Sequence, residues 1–330
     1  MGDSLIAASA AMEYALQHPE DEVSLMVRAP YATALRLERG FRLLPYHNNL
    51  QANLLILWWR ITRQSFDVCC LLRGYGRRSR QLVERVPARR KIVGDSRMAS
   101  TGVELANIET SDGDEIYDGN RPLIMHSWSI IHYLDSGTKR LDRLSFPVLA
   151  DNWKSCTDKK YVLLCPQSDE VRRTFTTETT ISMCTYLQMK FPKYQVLVVV
   201  RRASDILDTD LPFMAFGTIP TFTRLLMLTH AWFGADTGLY HLAAAAGVPC
   251  TVFFGPTQPK VVILSRQENV EAVRLKQLGN RHCDVIDDCP EAHCLHEGIK
   301  SWMGGHQTCV IDKYNDDKFL LPKDCLLTNS

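Results

Sequence analysis

Apolar positions along the chain alternate between two rhythms. Helical spacing runs through Ala7–His18, Leu50–Thr62 and Ser127–Leu134, and short β-rich runs fall at Val23–Val27, Phe41–Tyr46, Phe66–Leu72 and Lys91–Gly94. Ser111–Asn120 is polar and reads as a loop. Between Pro147 and Lys160 the rhythm stops, and Asp151–Asp158 is polar. It then restarts with strand signals at Tyr161–Leu164, Gln195–Val200, Ala231–Ala235 and Pro249–Phe254, and helical spacing at Thr179–Lys190, Thr221–His230 and Leu239–Ala246. Such alternation predicts an α/β chain with parallel sheets and crossover helices. The 330 residues, against roughly 100–200 per domain, divide at the linker into a domain over 1–152 and another over 153–330. Both read as Rossmann-like.

Composition narrows the class. Hydrophobic residues are 45%, charged residues 23% and the net charge is +1, which fits a full core and gives no basis for nucleic-acid binding. No apolar run approaches the roughly 18–20 residues that span a bilayer; Leu54–Trp59 is followed by Arg60 and Arg63. Leu5–Leu16 has no positive segment before it and is interrupted by Glu13, so it reads as an amphipathic helix and not a signal peptide. The expected compartment is the cytoplasm. Of eleven cysteines, Cys69, Cys70, Cys165, Cys184 and Cys250 lie in apolar surroundings and read as inert core thiols.

Trp232–Thr257 carries the most chemistry. A buried strand ends at Ala235, the turn Asp236-Thr237-Gly238 follows, and an Ala-rich helix begins at once. Free N–H groups and the positive dipole end at such a helix start favour an anion such as a diphosphate. Gly238 leaves the backbone approachable, Thr237 offers a hydroxyl, and Asp236 can accept from sugar hydroxyls. A second turn, Gly255-Pro256-Thr257, ends the next strand at the same sheet edge, where ligands of open α/β sheets sit. Taken alone, the first turn is equally a plain Asp-Thr N-cap.

Together, DTGLYHLAAAAGVP and FFGPTQP resemble the signature of the ADP-heptose:lipopolysaccharide heptosyltransferases, glycosyltransferase family nine. The resemblance implies a GT-B fold, two Rossmann-like domains facing a cleft, with the acceptor at the first and the nucleotide sugar at the second. Met1-Gly2-Asp3-Ser4-Leu5 is similar to the family's Gly-Asp turn, which implies Asp3 as general base; Asp3 is also placed to cap the following helix. The family has a strand before this turn, whereas this chain starts at Met1-Gly2. Either the start is misassigned or the first strand of the N-terminal domain is missing. Pro166–Phe175 resembles the family's phosphate-contact loop, which puts Arg173, with Arg172 adjacent, where the family has a donor-phosphate lysine and Phe175 where it has Trp. Asp236, Thr237, Gly238, His241 and Thr257 match the donor-binding motif. The resemblance implies catalysis without a metal, since Arg and helix N-termini neutralise the leaving diphosphate. Asp112, Asp114, Asp208 and Asp210 have the spacing of a metal motif but read as loop acids.

Cys283, Cys289, Cys294 and Cys309 cluster with His282, His293, His296 and His306 nearby. Four thiolates suit tetrahedral zinc or iron, and the cluster is similar to the iron site of family members that modify autotransporters; a loop of free thiols is the other reading. Arg73–Lys91 holds eight basic residues against Glu84. It reads as a solvated face, or as a surface for an anionic acceptor or for peripheral contact with the inner membrane. The expected function is an inverting transfer of a heptose, or related sugar, from a nucleotide sugar such as ADP-heptose to a lipopolysaccharide-core, other glycan or protein acceptor. The alternative is a non-catalytic sugar-nucleotide-binding or assembly protein of the same fold.

Overall fold

The computed structural model describes residues 2–32, 41–72, 77–94, 102–106, 127, 130–131, 133–134, 158–201, 211–255, 257, 259–263, 269–274 and 293–305. The described residues fall into two compact units, one from Asp3–Pro147 and the other from Val148–Asn315. The linker, the Ser111–Asn120 loop and the acids at 112, 114, 208 and 210 lie outside the described residues.

The first unit opens with α1 (Gly2–Gln17), followed by β1 (Val23–Arg28), the short α2 (Ala29–Ala32), β2 (Phe41–Tyr46), α3 (Asn49–Ile61), β3 (Phe66–Leu71), α4 (Arg77–Arg85), β4 (Ala88–Val93) and β5 (Glu104–Leu105). The strands are parallel throughout, but they form two sheets, β1-β2 and β3-β4-β5. Pro45 has no N–H to donate, in keeping with β2 as an edge. Asn48 caps α3 by accepting from Gln51 N at 2.9 Å. Ile56 and Trp59 of α3 then pack with Leu44 and Val86. Cys69 and Cys70 sit in β3, and burial pushes their thiols up to about 11 and about 12. Part of the basic segment is the helix α4, and part is the strand β4, which begins three residues before the spacing predicts because Ala88–Arg90 pairs with β3.

The second unit contains β6 (Tyr161–Cys165), a 3₁₀ turn (Val171–Arg173), α5 (Thr177–Lys190), β7 (Gln195–Val200), β8 (Phe213–Ala215), α6 (Ile219–Met227), β9 (Thr229–Ala235), α7 (Gly238–Ala245), β10 (Cys250–Phe253), α8 (Pro259–Val262), β11 (Val270–Val273) and α9 (His293–Met303). All six strands are parallel, in the order β11-β10-β9-β6-β7-β8. Strand runs such as YVLLC and QVLVVV are apolar almost throughout because helices cover both faces. Met183, Leu187, Leu295 and Ile299 pack with the strand core, and Trp302 meets Phe253 edge-on at 5.3 Å. Thr229 and His230 are strand and not the helix end their spacing predicts: Leu228 caps α6, and Tyr161 pairs with Thr229.

The order of this sheet is that of a doubly wound fold. Strand β6 comes first in sequence but sits third from one edge, with β7 on one side and β9 on the other. The chain therefore reverses direction between β6 and β9, and the loops leaving these two strands part to form a crevice.

Candidate active site

Two segments meet at that crevice. After β6, residues 166–175 fold back so that Phe175 N donates to Pro166 O at 2.8 Å. Phe175 is buried against Phe253, 5.8 Å between ring centroids, and anchors the loop's far end in the core. After β9, Asp236 and Thr237 lead directly into α7. Ser168 Oγ donates to Asp236 O at 2.9 Å, which joins the two segments.

The charged groups lock together at the same place. Asp236 is buried, and its Oδ2 accepts from Arg173 Nη1 at 2.9 Å. Arg173 also directs Nε and Nη2 at Glu170 Oε2, at 3.0 and 2.9 Å. Arg172 Nη2 lies 2.6 Å from Glu170 Oε1, so one carboxylate bridges both arginines. Burial opposes the charge on Arg173, but the charge and hydrogen bond of Asp236, then those of Glu170, outweigh it and hold the guanidinium above its ordinary pKa. A carboxylate as buried as Asp236 needs such a partner.

Thr237 is the N-cap of α7 by backbone conformation (φ −147°, ψ 156°), yet its side chain makes no capping hydrogen bond. Asp236 holds Arg173, and the Thr237 hydroxyl is not spent on the helix end. His241 is buried one turn into α7, its ring 3.9 Å from that of Tyr240. Thr257 is half-buried in the turn after β10. At the other end of α7, Gly247 takes a positive φ of 71° and closes the helix, with Val248 N donating to Ala243 O at 3.0 Å.

Of the residues singled out from sequence, the fold brings Arg172, Arg173, Asp236 and Thr237 into one constellation, with Gly238 and His241 on the helix that leaves it. Asp3 belongs to the first unit; its backbone is already helical, in the first turn of α1, and not in a turn before it. Among the clustered cysteines only Cys294 is described, as the second residue of α9, and the set as a metal site lies outside the described residues. His296, beside it in sequence, has Nδ1 2.9 Å from Thr179 Oγ1 and so ties α9 to α5. No group of three or more His, Cys, Asp or Glu side chains placed to hold a metal occurs among the described residues. None of the described helices is long and apolar enough to cross a membrane. Ser168 was not legible as a site residue because its partner lies 68 residues away, and Glu170 was not because an acid two and three residues before its arginines in a polar loop reads as an ordinary local pair.

The sequence model of glycosyltransferase family 9 (heptosyltransferase) matches residues 214–293, the segment that holds β9, the Asp236 turn and α7. No curated protein matches the chain by sequence. Among solved structures, the chain is similar to the E. coli heptosyltransferase WaaC bound to ADP-2-deoxy-2-fluoro heptose, at 14% identity and a TM-score of 0.64, covering 92% of this chain and 96% of that one. It is also similar to E. coli ADP-heptose lps heptosyltransferase II, at 14% identity and a TM-score of 0.61, over 91% and 95%. A third match is the iron-containing dodecameric heptosyltransferase TibC of enterotoxigenic E. coli in complex with ADP-D-beta-D-heptose, at 13% identity and 0.55, over 92% and 74%. These matches bear out the GT-B fold and the resemblance to the heptosyltransferase family.

Proposed function

We propose that the chain transfers a heptose, or a closely related sugar, from a nucleotide sugar such as ADP-heptose to a hydroxyl of a lipopolysaccharide-core or other glycan or protein acceptor, with inversion at the anomeric carbon. The observation that carries this is the coupling of the buried Asp236 to Arg173 beside a helix start whose N-cap side chain makes no capping hydrogen bond. Arg172, Arg173 and the α7 N–H groups receive the diphosphate. Asp236, Thr237, Gly238, His241 and Thr257 line the sugar and ribose side. The acceptor oxygen attacks the anomeric carbon, the bond from that carbon to the diphosphate oxygen breaks, and the departing nucleoside diphosphate takes the electron pair. Asp3 takes the acceptor proton. Arginines and the helix dipole stabilise the leaving charge, so the step runs without a metal.

The basic residues of Arg73–Lys91 suit an anionic acceptor. The five described core thiols are free, which suits a reducing cytoplasm. Cys283, Cys289, Cys294 and Cys309 would hold one iron or zinc ion apart from the chemistry; likeness to the iron-containing TibC supports that reading.

The test is calorimetry with ADP and ADP-heptose on the native protein and Asp236→Asn. The native protein is expected to bind both, and Asp236→Asn, with its fold intact by circular dichroism, to bind neither measurably. Unchanged affinity in the variant overturns the assignment.

A further inference from the structure

Helix α3 has two apolar faces. Ala52, Ile56 and Trp59 form one and are buried. Leu50, Leu54, Leu57, Trp58 and Ile61 form the other, each between 50% and 68% exposed. At 3.6 residues per turn these five positions fall within an arc of roughly 100° opposite the core face, and the stripe runs for about 17 Å along the helix. A helix that only met water on that side would be polar there. A contiguous stripe of five large apolar side chains instead marks a docking surface.

Arginines flank the stripe at its C-terminal end. Residues 41–66 contain no Asp or Glu and include Arg42, Arg60 and Arg63; the next acid, Asp67, is exposed in β3, and Glu84 on α4 is paired with Arg80. Arg60 donates from Nε and Nη2 to Arg85 O, at 3.1 and 2.7 Å, and Arg85 Nη1 donates to Asn53 Oδ1 at 2.8 Å. Both guanidinium groups are therefore fixed along the helix edge by neutral acceptors, which orient the charge without cancelling it. Arg63 stands exposed just past the helix, at a positive φ of 56°. Among the described residues none of these three forms an ion pair.

We propose that this face of α3 docks on an anionic phospholipid bilayer. The helix lies in the plane of the surface, with Leu54, Leu57, Trp58 and Ile61 at the acyl boundary and Arg60, Arg63 and Arg85 among headgroup phosphates. Trp58 belongs at such a boundary, where one end of its ring is apolar and its N–H stays wet. A second copy of this chain fits less well, because a two-fold contact sets Arg60, Arg63 and Arg85 against the same arginines. The inference rests on α3 and its neighbours alone and does not depend on which sugar is transferred.

The experiment is sedimentation of the full chain with vesicles of equimolar phosphatidylglycerol and phosphatidylcholine, and with vesicles of phosphatidylcholine alone. The native protein is expected to sediment with the anionic vesicles, weakly with the neutral ones, and less as salt is added. Leu54→Ser with Trp58→Ser, both on the exposed face, is expected to keep the native melting temperature and to lose roughly tenfold or more in partitioning. Arg63→Gln is expected to weaken binding to anionic vesicles only. Failure of the native protein to bind anionic vesicles overturns the proposal. So does undiminished binding by the double variant, or a native oligomer that the double variant dissolves while vesicles stay unbound, which would assign the face to a second copy.

Discussion

A single methyl group at Gly234 tests whether the β6–β9 junction positions the proposed donor site. A Cβ there would stand 2.3 Å from Cys165 O, 2.9 Å from the Trp232 ring and 3.0 Å from Cys165 C. Carbon and carbonyl oxygen come no closer than about 3.3 Å in ordinary contact, so the two strands must part by about 1 Å. Cys165 pairs with Gly234 in the ladder and Trp232 is fully buried, so no flexible side-chain tip can give way instead. Overpacking of this kind costs about 1–3 kcal/mol, and the stiffer unfolded chain of Ala offsets about 0.4–1 kcal/mol of it. The net expectation for Gly234→Ala is a loss of about 1–2 kcal/mol in urea unfolding. The site should register the same shift. Asp236 follows two residues later, and a displacement of β9 stretches both its 2.9 Å bond to Arg173 and the 2.9 Å bond from Ser168 Oγ. ADP affinity by calorimetry should therefore fall as well. Gly247→Ala is the control: its φ of 71° costs an alanine about 1–2 kcal/mol, its surroundings are open, and it lies at the far end of α7. It should lose stability and keep ADP affinity. A Gly234→Ala protein with native unfolding midpoint and native affinity would refute the reasoning.

Three further outcomes are expected. Asp3→Asn should lower turnover by about 10²–10⁴-fold with donor affinity unchanged, because Asn matches Asp in shape but takes no proton; near-native turnover would remove Asp3 from the mechanism. Protein expressed with iron and zinc in the medium should carry about one equivalent of thiolate-bound metal per chain, and elemental analysis finding none would exclude the cluster as a metal site. Burial raises the Cys70 thiol to about 12 and the Cys69 thiol to about 11. At pH 8 only about one Cys70 in 10⁴ is then thiolate, so peptide mapping after brief alkylation of the native protein should find both cysteines unlabelled, and rapid labelling would contradict their burial.

The strands of the second unit were legible because a sheet covered on both faces writes itself as apolar runs: β7 lies where the spacing predicts, and β6, β9 and β10 differ by one or two residues at an end. Short strands escaped. Phe213–Ala215 and Val270–Val273 offer three and four residues, too few to show a period. The Asp236 turn could be read because it is local, a strand end and a helix start within a few residues. Its partner could be placed by resemblance, but the bridging of Arg172 and Arg173 by Glu170 is a matter of side-chain geometry that no spacing encodes. Helix α3 shows a different limit. Its sequence is apolar on nearly all sides, which by pattern alone reads as a buried helix, and only the fold separates the face that meets Leu44 from the face that meets none of the core.

The distance in sequence between the two halves of the proposed donor site bears on how that site comes into being. Arg173 and Asp236 are 63 residues apart, and Ser168 and Asp236 are 68 apart. No hairpin can join them, since parallel neighbours need a crossover, and here α5, β7, β8 and α6 all intervene. The entropy of closing that long loop must be met before the β6–β9 ladder returns any contact. Until the ladder forms, the loop after β6 and the turn after β9 are unrelated pieces of chain, and neither Arg173 nor Asp236 has its partner. On the proposed reading, donor recognition is a property of the completed sheet and has no partial form: a folding intermediate holding only β6, α5 and β7 carries both arginines and not their Asp236 partner.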